Sequence, residues 1–249
     1  MRGTQFPPAR QVMLMVRILE KIFPIIAALS ALAFMATLYL IFFYAPVELT
    51  MGIVQKIFYV HVPAAMIMYA GFTIASLASL LYLIKPNRIW DMVAVSGAEV
   101  GLLFCLYVLV SGPLWAYKAW GRAWTWDPQL TATFVLFLLY TGYMLLRVFS
   151  GSGERVRKIA AVLAIIAFVD IPIIHYAVRQ WGGMHPVIER EGGGGLAPDM
   201  KMALSAAMLA FLGLFLVLFW LRLRVRLTQR TVDRLYLDVE DAAQVLTEA

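Results

Sequence analysis

Six stretches of the chain, near residues 22–44, 57–84, 92–115, 128–146, 159–178 and 202–221, are apolar over about the 20 residues that a helix needs to cross the hydrocarbon core of a bilayer. In lipid no water satisfies backbone N–H and C=O groups, so only helices or closed barrels cross it. None of the six shows the alternation of a barrel strand. The expectation is an all-α membrane protein, a six-transmembrane-helix bundle forming a single integral membrane domain over residues 1–249. Composition agrees: 62% of the residues are hydrophobic, 14% are charged and the mean hydropathy is +0.80, which leaves too little charge to cover a water-soluble domain of this length. The first apolar run exceeds the about 7 to 15 residues of a secretory signal's core and reads as a retained helix.

The net charge of +6 follows from membrane topology and not from nucleic acid, which is not expected as a partner. Of the 21 Lys and Arg residues, 15 fall in the segments on one side of the six spans and six on the other. Cytoplasmic segments keep the excess of positive charge, so both termini are expected in the cytoplasm. Connections 45–56, 116–127 and 179–201 then face outward, and 222–249 is a cytoplasmic tail. This tail mixes Arg with Leu and Val before turning acidic; a solvated end is favoured over an extension of the last helix along the membrane surface. The single cysteine, Cys105, excludes an intramolecular disulfide framework, a cysteine zinc cluster and a CxxC motif.

With this topology the unusual residues gather on the outward side. His61 lies four residues into the second span, about one turn below the surface at ~1.5 Å per residue. His175 is near the outer end of the fifth span, and His185 is in the connection beyond it. Trp115, Trp120, Trp124 and Trp126 crowd around the second outward connection, and Trp181 approaches from the third. Aromatic faces beside imidazoles suit a flat apolar ligand with a metal at its centre. Haem is such a ligand, with neutral imidazole as axial ligand to its iron. Lys118, Arg122 and Arg179 are the outward cations available to its propionates.

The segment WGRAWTWDPQLT at residues 120–131 resembles the tryptophan-rich WWD signature of the haem-handling proteins of cytochrome c maturation, and most nearly the CcmC family. The resemblance extends to the six spans, the His-Val-Pro after the aromatic pair at residues 58–63, IPIIHY at 171–176 and the step from Trp181 to His185. Related haem lyases are longer, with further spans and histidines. The resemblance implies that His61 and His185 bracket the iron of a non-covalently held, b-type haem carried as cargo. It also implies that Trp120, Trp124, Trp126 and Asp127 belong to the haem-holding loop. It further implies a bacterial inner-membrane protein that presents haem on its periplasmic side to a haem chaperone, in a complex with an ATP-binding cassette pair and a small single-span partner. Ala123 departs from a frequent tryptophan and Gln129 from a frequent basic residue.

Each residue has a competing role. His61 would otherwise be a core imidazole on a backbone carbonyl, and His185 a solvated loop residue. His175 is the rival ligand to His185, or a hydrogen-bonding group beneath the haem. The tryptophans would otherwise form an interfacial belt. Asp127 before Pro128 has the pattern of an N-cap with proline in the first helical position. Glu99 and Asp170 are carboxyls within spans, where an unpaired charge is costly. The function expected is haem binding and transfer, not enzymatic catalysis. A b-type electron-transfer cytochrome holding haem permanently between His61 and His175 is the alternative, followed by a structural subunit of a transporter. The chain has no GxxxxGK[ST] motif, so any ATP dependence belongs to partner chains.

Overall fold

The structure is a computed structural model that describes residues 9–151, 153–183 and 196–248. It is built from helices: α1 (Ala9–Tyr39), α2 (Phe58–Ile84), α3 (Arg88–Trp120), α4 (Pro128–Phe149), α5 (Glu154–Phe168), α6 (Asp170–Trp181) and α7 (Pro198–Glu248). A π-helical turn, Leu40–Tyr44, finishes α1, and a 3-10 turn, Ile53–Ile57, leads into α2. Six helical spans are long and apolar enough to cross a membrane, with α5 and α6 together making the fifth. The six expected spans are all present.

The closest helix pair is α2 with α3. A Cβ added at Gly71 would lie 2.8 Å from the Cα of Gly101, so the two backbones touch at a distance that any side chain would prevent. Deeper in the bundle Phe72 of α2 stacks on Tyr140 of α4, with ring centroids 3.8 Å apart. The Tyr140 hydroxyl reaches the carbonyls of Phe72 and Ala164, at 3.2 and 3.4 Å, which ties α2, α4 and α5 together through a polar group that lipid could not satisfy.

The fifth span departs from the continuous helix expected over 159–178. Helix α5 ends at Phe168, Val169 forms a turn and α6 begins at Asp170. Pro172 explains the position of the break. It has no N–H to give to the carbonyl four residues earlier, which is that of Phe168, and its ring crowds that carbonyl. The Val169 N–H closes α5 on the Ile166 carbonyl at 3.1 Å instead.

The spans also run past their hydropathy limits. Helix α3 continues to Trp120, so Trp115 and Trp120 stand on its last turns and the connection to α4 is residues 121–127. Helix α7 continues without interruption to Glu248 and takes up the tail. Glu99, an intramembrane carboxyl by sequence, is paired with Arg222 at 2.7 Å and with Arg226, both from this continuation of α7. At the same end Arg147 of α4 pairs with Asp91 of α3 at 2.8 Å.

Candidate haem site

At the opposite end of the bundle a cavity of about 470 Å³ opens between α2, α3, α4, α6 and the 121–127 connection. This lies within the roughly 300–1,000 Å³ of typical ligand sites. Its first polar wall is His61, placed on α2 and only 5% exposed. The Nδ1 of His61 lies 2.8 Å from the Oγ of Ser111 on α3, which is buried as well. Gly112 is the next residue, and a Cβ there would come 3.3 Å from the Cε1 of His61. Ser111 therefore holds one edge of the imidazole while Gly112 leaves room for the ring.

Indole surface continues the wall. Trp115 is four residues after Ser111, hence on the same face of α3, and its ring centroid is 6.0 Å from that of His61 at an interplanar angle of 63°. Trp120 follows at 6.1 Å from Trp115. Trp115 is 5% exposed, and its indole Nε1 is buried without a hydrogen-bond partner. A membrane-interface belt does not account for a tryptophan so enclosed, because such a belt keeps the N–H at the wet boundary. Trp126 and Trp181, 67% and 65% exposed, do have the exposure of belt residues.

Gly121, with φ +75°, ends α3 in the left-handed region and lets the chain turn back. Asp127 then opens α4 as its N-cap: one carboxylate oxygen accepts from the Leu130 N–H at 2.9 Å, and Pro128 holds the first helical position. Its other oxygen, Oδ2, is buried without a partner. Trp126, at φ +53°, is the one described non-glycine residue with positive φ. Such a conformation is unfavourable for a bulky side chain and marks a held position. Trp126 packs edge-on against Trp124, with centroids 5.4 Å apart, and both lean on Phe134 of α4.

Helix α6 closes the far side with His175 and Arg179, both in the cavity wall. His175 is exposed and meets Tyr176 edge-on, with centroids 5.1 Å apart. Of the residues expected from sequence, His61, Trp115, Trp120, Arg122, Asp127 and His175 thus border one cavity. Trp124 and Trp126 support the rim of the connection and do not line the cavity. His185 lies outside the described residues.

Ser111, Gly112 and Tyr69, all in the wall or against His61, escaped the sequence reading. A signal was present for Ser111, a hydroxyl within an apolar span at helical spacing from Trp115. Gly112 and Tyr69 carry no signal apart from the structure.

The set is chemically suited to a metallo-macrocycle. It offers a buried imidazole oriented through its second nitrogen, flat apolar walls and two guanidinium side chains, with Trp115 Nε1 a donor still unmatched.

Residues 8–238 match the family model CcmC, heme exporter protein C. The chain belongs to this family. It is 32% identical to the heme exporter protein C of Bradyrhizobium diazoefficiens, over 77% of this chain and 73% of the relative. The Escherichia coli K12 protein of the same name is also 32% identical, over 74% of each chain. That of Paracoccus denitrificans is 31% identical, over 78% of this chain and 81% of the relative. CcmC membership and six apolar spans make this a multi-pass membrane protein of the cytochrome c biogenesis class.

Proposed function

We propose that this CcmC protein binds haem at the outer end of its bundle and hands it to a periplasmic haem chaperone during c-type cytochrome maturation. The observation that carries the reading is His61. A polar ring is expensive inside a membrane span and is expected there for function, and this one is oriented by Ser111 beside a tryptophan wall and a cavity of ligand size. His61 and His185 serve as the axial ligands to the iron. Trp115 and Trp120 cover the macrocycle, Trp124, Trp126 and Asp127 hold the loop that closes over it, and Arg122 and Arg179 meet the propionates. The haem is held without covalent attachment, as cargo.

Sidedness follows from the charge asymmetry. Fifteen of the 21 Lys and Arg residues fall in the sequence segments on one side of the six spans, a bias that supports both termini, and the end away from the cavity, in the cytoplasm of a bacterial inner membrane. The site then faces the periplasm. An ATP-binding cassette pair and a small single-span protein complete the assembly and supply any ATP dependence. The role is delivery and not catalysis. Transfer requires one axial ligand to let go, and His185, in a connection bearing the glycine run 192–195, is suited to this while His61 stays fixed in α2.

His175 gives the alternative of a permanently bound b-type haem a ligand pair, because it and His61 share the cavity. Visible spectra of the purified protein, wild type beside His61→Ala, His175→Ala and His185→Ala, separate the readings. Delivery predicts loss of the bis-histidine spectrum in His61→Ala and His185→Ala, its retention in His175→Ala, and transfer of haem to the chaperone. A spectrum abolished by His175→Ala and untouched by His185→Ala, with haem that does not exchange, would establish the cytochrome instead.

A further inference from the structure

The arginines at the end of the bundle away from the cavity are arranged more closely than topology requires. Arg222, Arg226, Arg230 and Arg234 recur every fourth residue of α7 and so form a ladder along one face. The first two rungs clamp Glu99 of α3. The start of α7, where Met200 and Ala203 pack in one cluster with Trp115, lies at the cavity end, so α7 runs antiparallel to α3. The Glu99 clamp fixes their register. Going from Arg226 to Arg234 advances about 12 Å along α7, at ~1.5 Å per residue, and goes back along α3 toward its first residue, Arg88. Arg230 is accordingly within electrostatic range of both Arg234 and Arg88.

Among the described residues no carboxylate pairs with these three. Asp91 is engaged by Arg147, and Glu99 by the upper rungs. The Nε of Arg230 is buried without a hydrogen-bond partner. Like charges drawn together without an acid repel one another, and a buried guanidinium N–H without an acceptor is costly. The positive-inside bias explains why arginines are at this end. It does not explain why the Nε of Arg230 is buried without an acceptor while an arginine of its own helix and one of α3 lie in its range.

We propose that Arg88, Arg230 and Arg234 form a binding site for the phosphate of an anionic phospholipid headgroup. Guanidinium forks match phosphate oxygens in bidentate fashion, and such an anion supplies both the missing charge and the missing acceptor. Arg88 is the first residue of α3, just before its apolar part, and basic residues at span ends are drawn to anionic headgroups. The exposed Ile84, at the end of α2, and Val225, on α7, offer apolar surface to acyl chains. Free phosphate has the same headgroup chemistry without use for that surface.

The site is tested by native mass spectrometry of the full-length protein in mild detergent, titrated with phosphatidylglycerol or phosphatidylcholine. The wild type is expected to retain phosphatidylglycerol in preference to phosphatidylcholine. Arg230→Gln with Arg234→Gln should weaken this binding by more than about tenfold, the loss of charge-assisted hydrogen bonds to one phosphate. The single variant Arg88→Gln, on a different helix, should weaken it about tenfold and serves where the double variant fails to fold. Arg155→Gln with Lys158→Gln removes the same charge from the same end and should leave binding unchanged. Equal weakening by this control pair would reduce the effect to general attraction and overturn the site. Displacement of phosphatidylglycerol by millimolar inorganic phosphate would overturn the lipid as its occupant.

Discussion

The imidazole of His61 has two nitrogens with different tasks, and the neighbours of the ring divide them. With Nδ1 beside the Ser111 oxygen, an Nδ1–H donated to that oxygen leaves Nε2 as the basic nitrogen for iron; partners of this kind on metal-bound histidines are worth about 10- to 100-fold in metal affinity. Ser111→Ala is therefore expected to lower haem retention by about that factor and to shift the reduced-minus-oxidised spectrum and the midpoint potential, with Ser111→Thr restoring both. An unchanged potential in a folded Ser111→Ala protein would leave the hydroxyl a packing role only. Asp127 offers a separate test, since its cap is seen directly. Asp127→Ala should cost about 1 kcal/mol of stability, the usual value of an N-cap side chain, measured by unfolding in detergent, while Asp127→Asn keeps most of it. That His61, Trp115 and Trp120 share one wall, and that Asp127 caps α4, was legible from residue type and spacing. Trp124 and Trp126, read as part of the same surface, stand off it. Ser111 gave only its spacing from Trp115 and Gly112 nothing, because their meaning lies in a contact between α2 and α3 that no local pattern encodes.

Among the helices, the fifth span shows both what hydropathy reads and what it misses. Its apolar length identified a crossing, but mean hydropathy does not register a missing N–H, and the break after Phe168 follows from Pro172 alone. The break gives α6 its own start, and α6 carries His175 and Arg179 to the cavity. Pro172→Ala is expected to let α5 and α6 join by restoring the bond to the Phe168 carbonyl. The protein should become more stable to heat while losing haem retention, because the far wall is displaced. Gain of stability with haem retention intact would show that α6 needs no break to reach the site. Helix limits were likewise misread at the outer end of α3: hydropathy falls after Trp115, yet Ala116–Trp120 stay helical until Gly121 stops them.

Seen entire, the bundle keeps two kinds of polar chemistry at opposite ends. One end holds the ion pairs of Glu99 and Asp91 with arginines; the other holds a cavity lined by imidazole, indole and the guanidinium groups of Arg122 and Arg179, and the proposal for haem delivery stands only if that second end faces the periplasm. The chain itself makes this easy to measure, because its one cysteine, Cys105, is fully buried and a buried thiol reacts poorly with polar maleimides. A cysteine introduced at Leu49, which is fully exposed in the 45–56 connection at the cavity end, should label with a membrane-impermeant maleimide in cells whose outer membrane alone has been opened. One introduced at the exposed Ser150, at the far end of α4, should label only after the inner membrane is breached, and the parent protein should stay unlabelled in both conditions. The charge bias that predicts this outcome counts Lys and Arg near the span ends, so it is independent of the fold and of the histidines. The reverse pattern would put the tryptophan-lined cavity in the cytoplasm, where no periplasmic chaperone could reach it.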